Sequence, residues 1–114
     1  MTWGEVELEP EVAQWFLALS ASHRGTAAFY VDLLAARGPL LGEPYSRRLD
    51  GKLRELRFHL DTEAVRITSW IASGRRIILL TVFRKQRMRE TAQVDRARRA
   101  MVRCIEEQHT VDEV

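Results

Sequence analysis

The 114-residue chain carries a single cysteine, Cys104, so no internal disulfide can staple it. Its three histidines, His23, His59 and His109, are scattered and have no cysteine partners for a structural zinc site. No apolar run approaches the roughly 20 residues that cross a bilayer. The N-terminus, Met-Thr-Trp-Gly-Glu-Val-Glu, has neither the basic nor the apolar segment of a secretory signal. A Gly-rich phosphate loop, a His-Glu-x-x-His helix and a nucleophile elbow are missing, and no repeat or low-complexity tract occurs. What remains is 46% hydrophobic and 30% charged, enough to bury one core and too apolar for a disordered tail. The expectation is one soluble, cytoplasmic domain over residues 1–114, without membrane contact and calling for no cofactor or metal.

The net charge of +2 conceals a strong segregation. Residues 1–50 hold four basic and seven acidic side chains, whereas residues 51–103 hold fourteen basic and five acidic ones. Residues 104–114 hold four acidic and no Lys or Arg, and the acidic segment 106–114 reads as a flexible tail. Sixteen of the eighteen Lys and Arg residues are Arg, whose planar fork fits phosphate oxygens and stacks on bases. Either this block meets an anionic partner on one face, or it is a solvated surface with local ion pairs.

Periodicity supplies the elements. Glu5-Val6-Glu7-Leu8 alternates as a short strand does. Pro10 suits a first helical turn, and Val12, Trp15, Phe16 and Leu19 make one apolar stripe. A second stripe, Ala27, Tyr30, Val31 and Leu34, follows a cap at Ser20 or Ser22 and stops at Gly38-Pro39. Residues 38–52 read as a loop. The period then becomes two: Leu56, Phe58 and Leu60 oppose Glu55, Arg57 and His59, and Val65 and Ile67 oppose Arg66, Thr68 and Trp70. Ala72-Ser73-Gly74 marks a hairpin, and Ile77–Phe83 is apolar enough for a strand buried on both faces. A last helix follows, with Thr91 as a candidate N-cap and Val94, Ala97, Met101, Cys104 and Ile105 on its apolar side. The order predicts an α+β fold: a small, mainly antiparallel sheet, an N-terminal helical hairpin, a C-terminal helix, and helices against one face.

With helices over the Leu56/Phe58 and Val65/Ile67 side, Arg57, His59 and Arg66 turn outward on neighbouring strands, with Arg84 and Lys85 at the end of the next. Arg47, Arg48 and Lys52 lead into this sheet, and Arg87 and Arg89 follow it. Such a cationic cup would stabilise the extra negative charge that develops when a 2′-hydroxyl attacks its own phosphodiester, without a metal. His59 is either an acid–base group or an exposed spectator. Trp70 is either a stacking surface for a base or a packing residue.

The stretch Gly42-Glu-Pro-Tyr-Ser-Arg-Arg-Leu-Asp-Gly-Lys-Leu-Arg-Glu-Leu-Arg-Phe58, with Val65-Arg66-Ile67 and Leu79–Gln86, resembles the RelE/ParE toxin superfamily, and HigB-like and phage-related relatives in particular. The resemblance implies a microbial RNase-like fold and a type II toxin that cleaves mRNA on the ribosome and arrests translation. It also implies silencing by a cognate antitoxin with a helix-turn-helix. It further implies contact of Arg57 and Arg66 with the scissile phosphate, a basic or acid–base role for Lys85 with Arg84, and RNA backbone binding by Lys52. Many relatives carry Tyr or His near the last helix, where Arg87-Met88-Arg89-Glu90 stands here. A ParE-like inhibitor of DNA gyrase shares the fold, and an Arg-rich helix could also serve a DNA-binding regulator.

Overall fold

The computed structural model describes residues 2–112, and side chains through residue 107. In chain order the elements are β1 (Glu5–Leu8), α1 (Pro10–Ala18), α2 (Ala21–Arg37), a 3-10 turn (Gly38–Leu40), β2 (Ser46–Asp50), β3 (Leu53–Leu60), β4 (Glu63–Ala72), β5 (Arg76–Arg84) and α3 (Thr91–Asp112). The sheet runs β1-β5-β4-β3-β2. β2 to β5 form an antiparallel meander, and β1 adds in parallel to β5. This is the expected α+β arrangement of N-terminal helices, a mostly antiparallel sheet and a C-terminal helix.

Two features depart from the sequence reading. The segment 38–52 is not wholly loop, because Ser46–Asp50 forms the edge strand β2. Arg47, Arg48 and Asp50 are exposed there, so the strand has no apolar alternation to announce it, and such charges are common on edges. The helices also cover both faces rather than one. α1 and α2 enclose a core of Val12, Leu34, Leu56, Phe58, Ile67 and Leu79. α3 encloses a second core of Leu53, Trp70, Ile78, Leu80, Ala97 and Cys104 on the other side. Helices on two faces explain why β5 is apolar at successive positions.

Several helix ends are fastened by an identifiable group. The Ser20 hydroxyl accepts the His23 N–H at 3.2 Å and caps α2. Arg24 donates to Phe16 O at 3.2 Å, which also accepts the Leu19 N–H, and to Leu19 O at 2.9 Å, and so satisfies carbonyls at the end of α1. Tyr30 stacks on Phe58 at 5.0 Å and joins α2 to β3. At the end of α2, Gly38 has φ +54°, and a Cβ there would lie 2.3 Å from the Trp3 ring. The cap of α3 lies one residue before the expected one: the Val94 N–H donates to Glu90 O at 2.9 Å, so Glu90 takes that position and Thr91 is the first helical residue. The expected acidic tail over 106–114 is helical through Asp112, and its last two residues lie outside the described ones. Ile105, placed on the apolar side, is 36% exposed.

β1 pairs with β5 only as far as Leu79 and leaves the rest of that edge uncovered. Beyond Leu79, the Val82 N–H donates to Glu11 Oε2 at 2.9 Å, and Arg96 Nη2 donates to Val82 O at 3.3 Å. Glu11 and Arg96 pair with each other. One ion pair therefore replaces the missing strand and ties α1, β5 and α3 together. Glu11→Ala removes an acceptor from a partly buried N–H and should lower unfolding free energy by about 1–3 kcal/mol. Glu11→Gln, which keeps an oxygen for Val82, should recover part of this in urea denaturation.

Candidate functional site

The register of β3 and β4 sets Arg57 directly opposite Arg66. The Arg57 N–H donates to Tyr45 O at 2.8 Å, away from β4. The two arginines thus form a non-hydrogen-bonded pair, the closer kind in an antiparallel ladder. Like charges so placed repel each other. Glu55, diagonal to Arg66 on the same face, brings its carboxylate to 3.7 Å from Arg66 Nε. Arg66 Nη1 also donates to Val65 O at 3.1 Å. Burial pushes the Arg66 pKa below its ordinary value, the facing Arg57 pushes the same way, and Glu55 opposes both. The Arg57 Nε is buried and has no hydrogen-bond partner among the described residues.

These groups floor a cup of about 320 Å³. Glu55, Arg57, Arg66 and Phe83 make its base, and Arg47 and Leu49 of β2 make one wall. The loop from β5 to α3 supplies Lys85, Met88, Arg89 and Glu90, and α3 adds Val94 and Arg98. Arg98 straps the cup shut on that side: it lies 2.8 Å from Asp50 at the end of β2 and 2.7 Å from Asp95. Its charge is thereby spent on structure. Arg47, Arg57, Lys85 and Arg89 keep no ion pair among the described residues, so the cup is cationic despite Glu55 and Glu90.

The remaining candidates fall elsewhere. Arg48 lies on the opposite face of β2, in register with Arg54, which donates to Leu41 O at 3.4 Å. Lys52 is exposed in the β2–β3 turn. Arg84 turns to the α1 side and pairs with Glu63 at 3.1 Å, so it does not join Lys85. His59 shares the face of Arg57 but is exposed and outside the cup lining. Arg87 is exposed in the loop, where its backbone rather than its side chain is anchored. Trp70 is 6% exposed, and its Nε1 donates to Cys104 Sγ at 3.4 Å, so it packs the α3 core and offers no stacking surface. Cys104 is likewise a core residue, and burial pushes its thiol pKa up.

Glu90 was absent from the sequence-based candidates. Its Oε1 accepts the N–H groups of both Gln86 and Arg87 at 2.7 Å. Its own carbonyl begins the α3 ladder, so one residue shapes the loop that presents Lys85, Met88 and Arg89. The available signal was an acidic residue immediately before a helix and five residues after a strand-end basic pair.

A family model described as "Phage derived protein Gp49-like (DUF891)" matches residues 14–103, which include the second half of α1, all of α2, the meander and the first part of α3. No curated protein matches the chain.

The two backbone N–H groups hold the Glu90 pKa below its ordinary value of 4.5, with lesser help from Arg87 and Lys85. A depressed folded pKa stabilises the loop above the ordinary carboxylate value, and that contribution disappears as pH falls through the lowered value. The amide resonances of Gln86 and Arg87 should therefore titrate together with a midpoint below 4.5 in NMR, and Glu90→Ala should abolish that titration.

Proposed function

The chain belongs to the Gp49-like family of phage-derived proteins, within the RelE/HigB-like toxin group, and on that premise we propose that it is a ribosome-dependent mRNA endoribonuclease that arrests translation and is silenced by a cognate antitoxin. The observation that carries this reading is the Arg57–Arg66 pair on the cup floor, with the Arg57 Nε lacking a protein partner. A buried donor without an acceptor fits an anion that arrives with the substrate.

The chemistry follows from charge placement. The substrate 2′-oxygen attacks the adjacent phosphorus, the P–O5′ bond breaks, and a 2′,3′-cyclic phosphate and a 5′-hydroxyl result. Glu55 takes the 2′-hydroxyl proton, since it is the carboxylate beside the guanidinium pair. Lys85 at the rim donates a proton to the departing 5′-oxygen. Arg57 and Arg66 stabilise the non-bridging oxygens, whose negative charge grows in the transition state. They are fixed on strands, so little reorganisation accompanies that charge. Arg47 and Arg89 flank the floor and bind neighbouring phosphates; Arg48, Lys52 and Arg87 meet RNA outside the cup. Arg84, committed to Glu63, contributes weakly. His59 takes no chemical part, because it lies outside the cup.

Primer extension on mRNA from translating ribosomes tests this reading. Arg57→Ala should slow cleavage by about 100-fold or more, matching the roughly 3 kcal/mol of one preorganised donor. Glu55→Gln should do likewise, and His59→Ala should leave the rate within a factor of about two. A fully active Arg57→Ala/Arg66→Ala protein would reject the site. Gyrase inhibition with intact mRNA would reject the activity.

A further inference from the structure

α3 has a second flank, which shares only Arg98 with the cup. Between it and the start of α1 lies an open groove of about 1020 Å³. Leu80, Ala100 and Cys104 form its apolar part, and Val102, 46% exposed, widens that surface along the helix. Arg96, Arg99 and Arg103 follow at i, i+3 and i+7 on the wall. Arg96 is engaged by Glu11 and Val82. Arg99 and Arg103 are exposed and have no ion pair or hydrogen bond among the described residues.

We propose that this groove is a docking site for an acidic, apolar-faced polypeptide segment of a partner protein. Carboxylates on the segment would meet Arg99 and Arg103, while its apolar side chains would cover Ala100 and Val102. One turn separates the two guanidiniums, so carboxylates one turn apart on a bound helix match them. RNA fits less well. Glu9 lines the facing wall and Glu107 the same helix, so a continuous phosphate chain would meet two carboxylates in the groove besides Glu11, which Arg96 already neutralises. A peptide can vary its charge from residue to residue and present apolar groups to the floor. The site goes beyond the cleavage reading, because it uses none of the residues assigned to the reaction.

Panning a random 16-residue peptide library on the full chain tests the proposal. The expected winners combine Asp or Glu with Leu, Ile or Phe. Their affinity for Arg99→Glu/Arg103→Glu should fall at least tenfold, while Arg99→Lys/Arg103→Lys retains binding. The charge-reversed protein should keep its thermal midpoint, since both side chains are exposed. Arg57→Ala/Arg66→Ala should bind the same peptides unchanged, so failure of the nuclease reading leaves this result standing. Absence of enrichment, winners indifferent to charge reversal, or displacement of the winners by a single-stranded RNA would overturn the proposal. A dimer that dissociates on charge reversal would assign the groove to a second copy and would also overturn it.

Discussion

Two guanidiniums face one another across β3 and β4 because the other side of those strands permits no alternative register. Leu56 pairs with Ile67 and Phe58 with Val65, and all four are buried under the helical hairpin. Sliding either strand by one residue would turn this set outward and bury charges in its place. Hydrophobic burial on one face thus holds an electrostatically unfavourable pair on the other. Glu55 relieves the repulsion only in part: burial first, and the facing Arg57 second, hold the Arg66 pKa below its ordinary value. An anion placed between the arginines would relieve it further, so the fold itself disposes the floor toward phosphate.

The cup divides its charges between two kinds of support. Floor residues sit on strands with partners on both sides, whose backbone is fixed by ladders and cores. Rim residues sit on a six-residue connection that has no apolar anchor of its own; Met88 within it is 97% exposed. Glu90 substitutes for that anchor by binding two backbone N–H groups. Loop order is consequently tied to one carboxylate, while the floor is tied to the core. Charges that must be preorganised for a transition state belong on the floor, and charges that must guide a long, flexible polymer tolerate the rim.

Much of this was legible in the sequence because period-two alternation states which residues share a face. Arg57, Arg66 and the opposing Leu and Ile positions follow from it directly, and the 3.6-residue period marks both stripes of the helical hairpin in the same way. The edge strand β2 escaped because an exposed strand has no apolar face to alternate with. Arg84 escaped because adjacency along a strand end suggests proximity to Lys85, whereas alternation sends the two to opposite faces. Trp70 was read on the correct side of the sheet, but its exposure depended on α3 crossing that side. Glu90 was hidden for a different reason: side-chain bonds to backbone N–H groups depend on loop geometry and leave no periodic trace.

The segregation of charge along the chain also acquires a physical meaning. The acidic first half folds onto the basic second half: Glu7 binds Arg76, Glu11 binds Arg96, and Asp50 binds Arg98. Within the basic half, Glu63 binds Arg84. These pairs fasten β1, the β5 edge, β2 and the β3–β4 turn, and they remove from circulation the arginines nearest to carboxylates. The guanidiniums left over do not form one broad patch. Among them, Arg47, Arg57 and Arg89 gather at the cup and Arg99 and Arg103 on the far flank of α3, while Arg98, held by Asp50 and Asp95, borders both. A helix rich in arginine thereby closes one site with one face and opens a second surface with another, so the charge of the segment says little until each residue's partner is known.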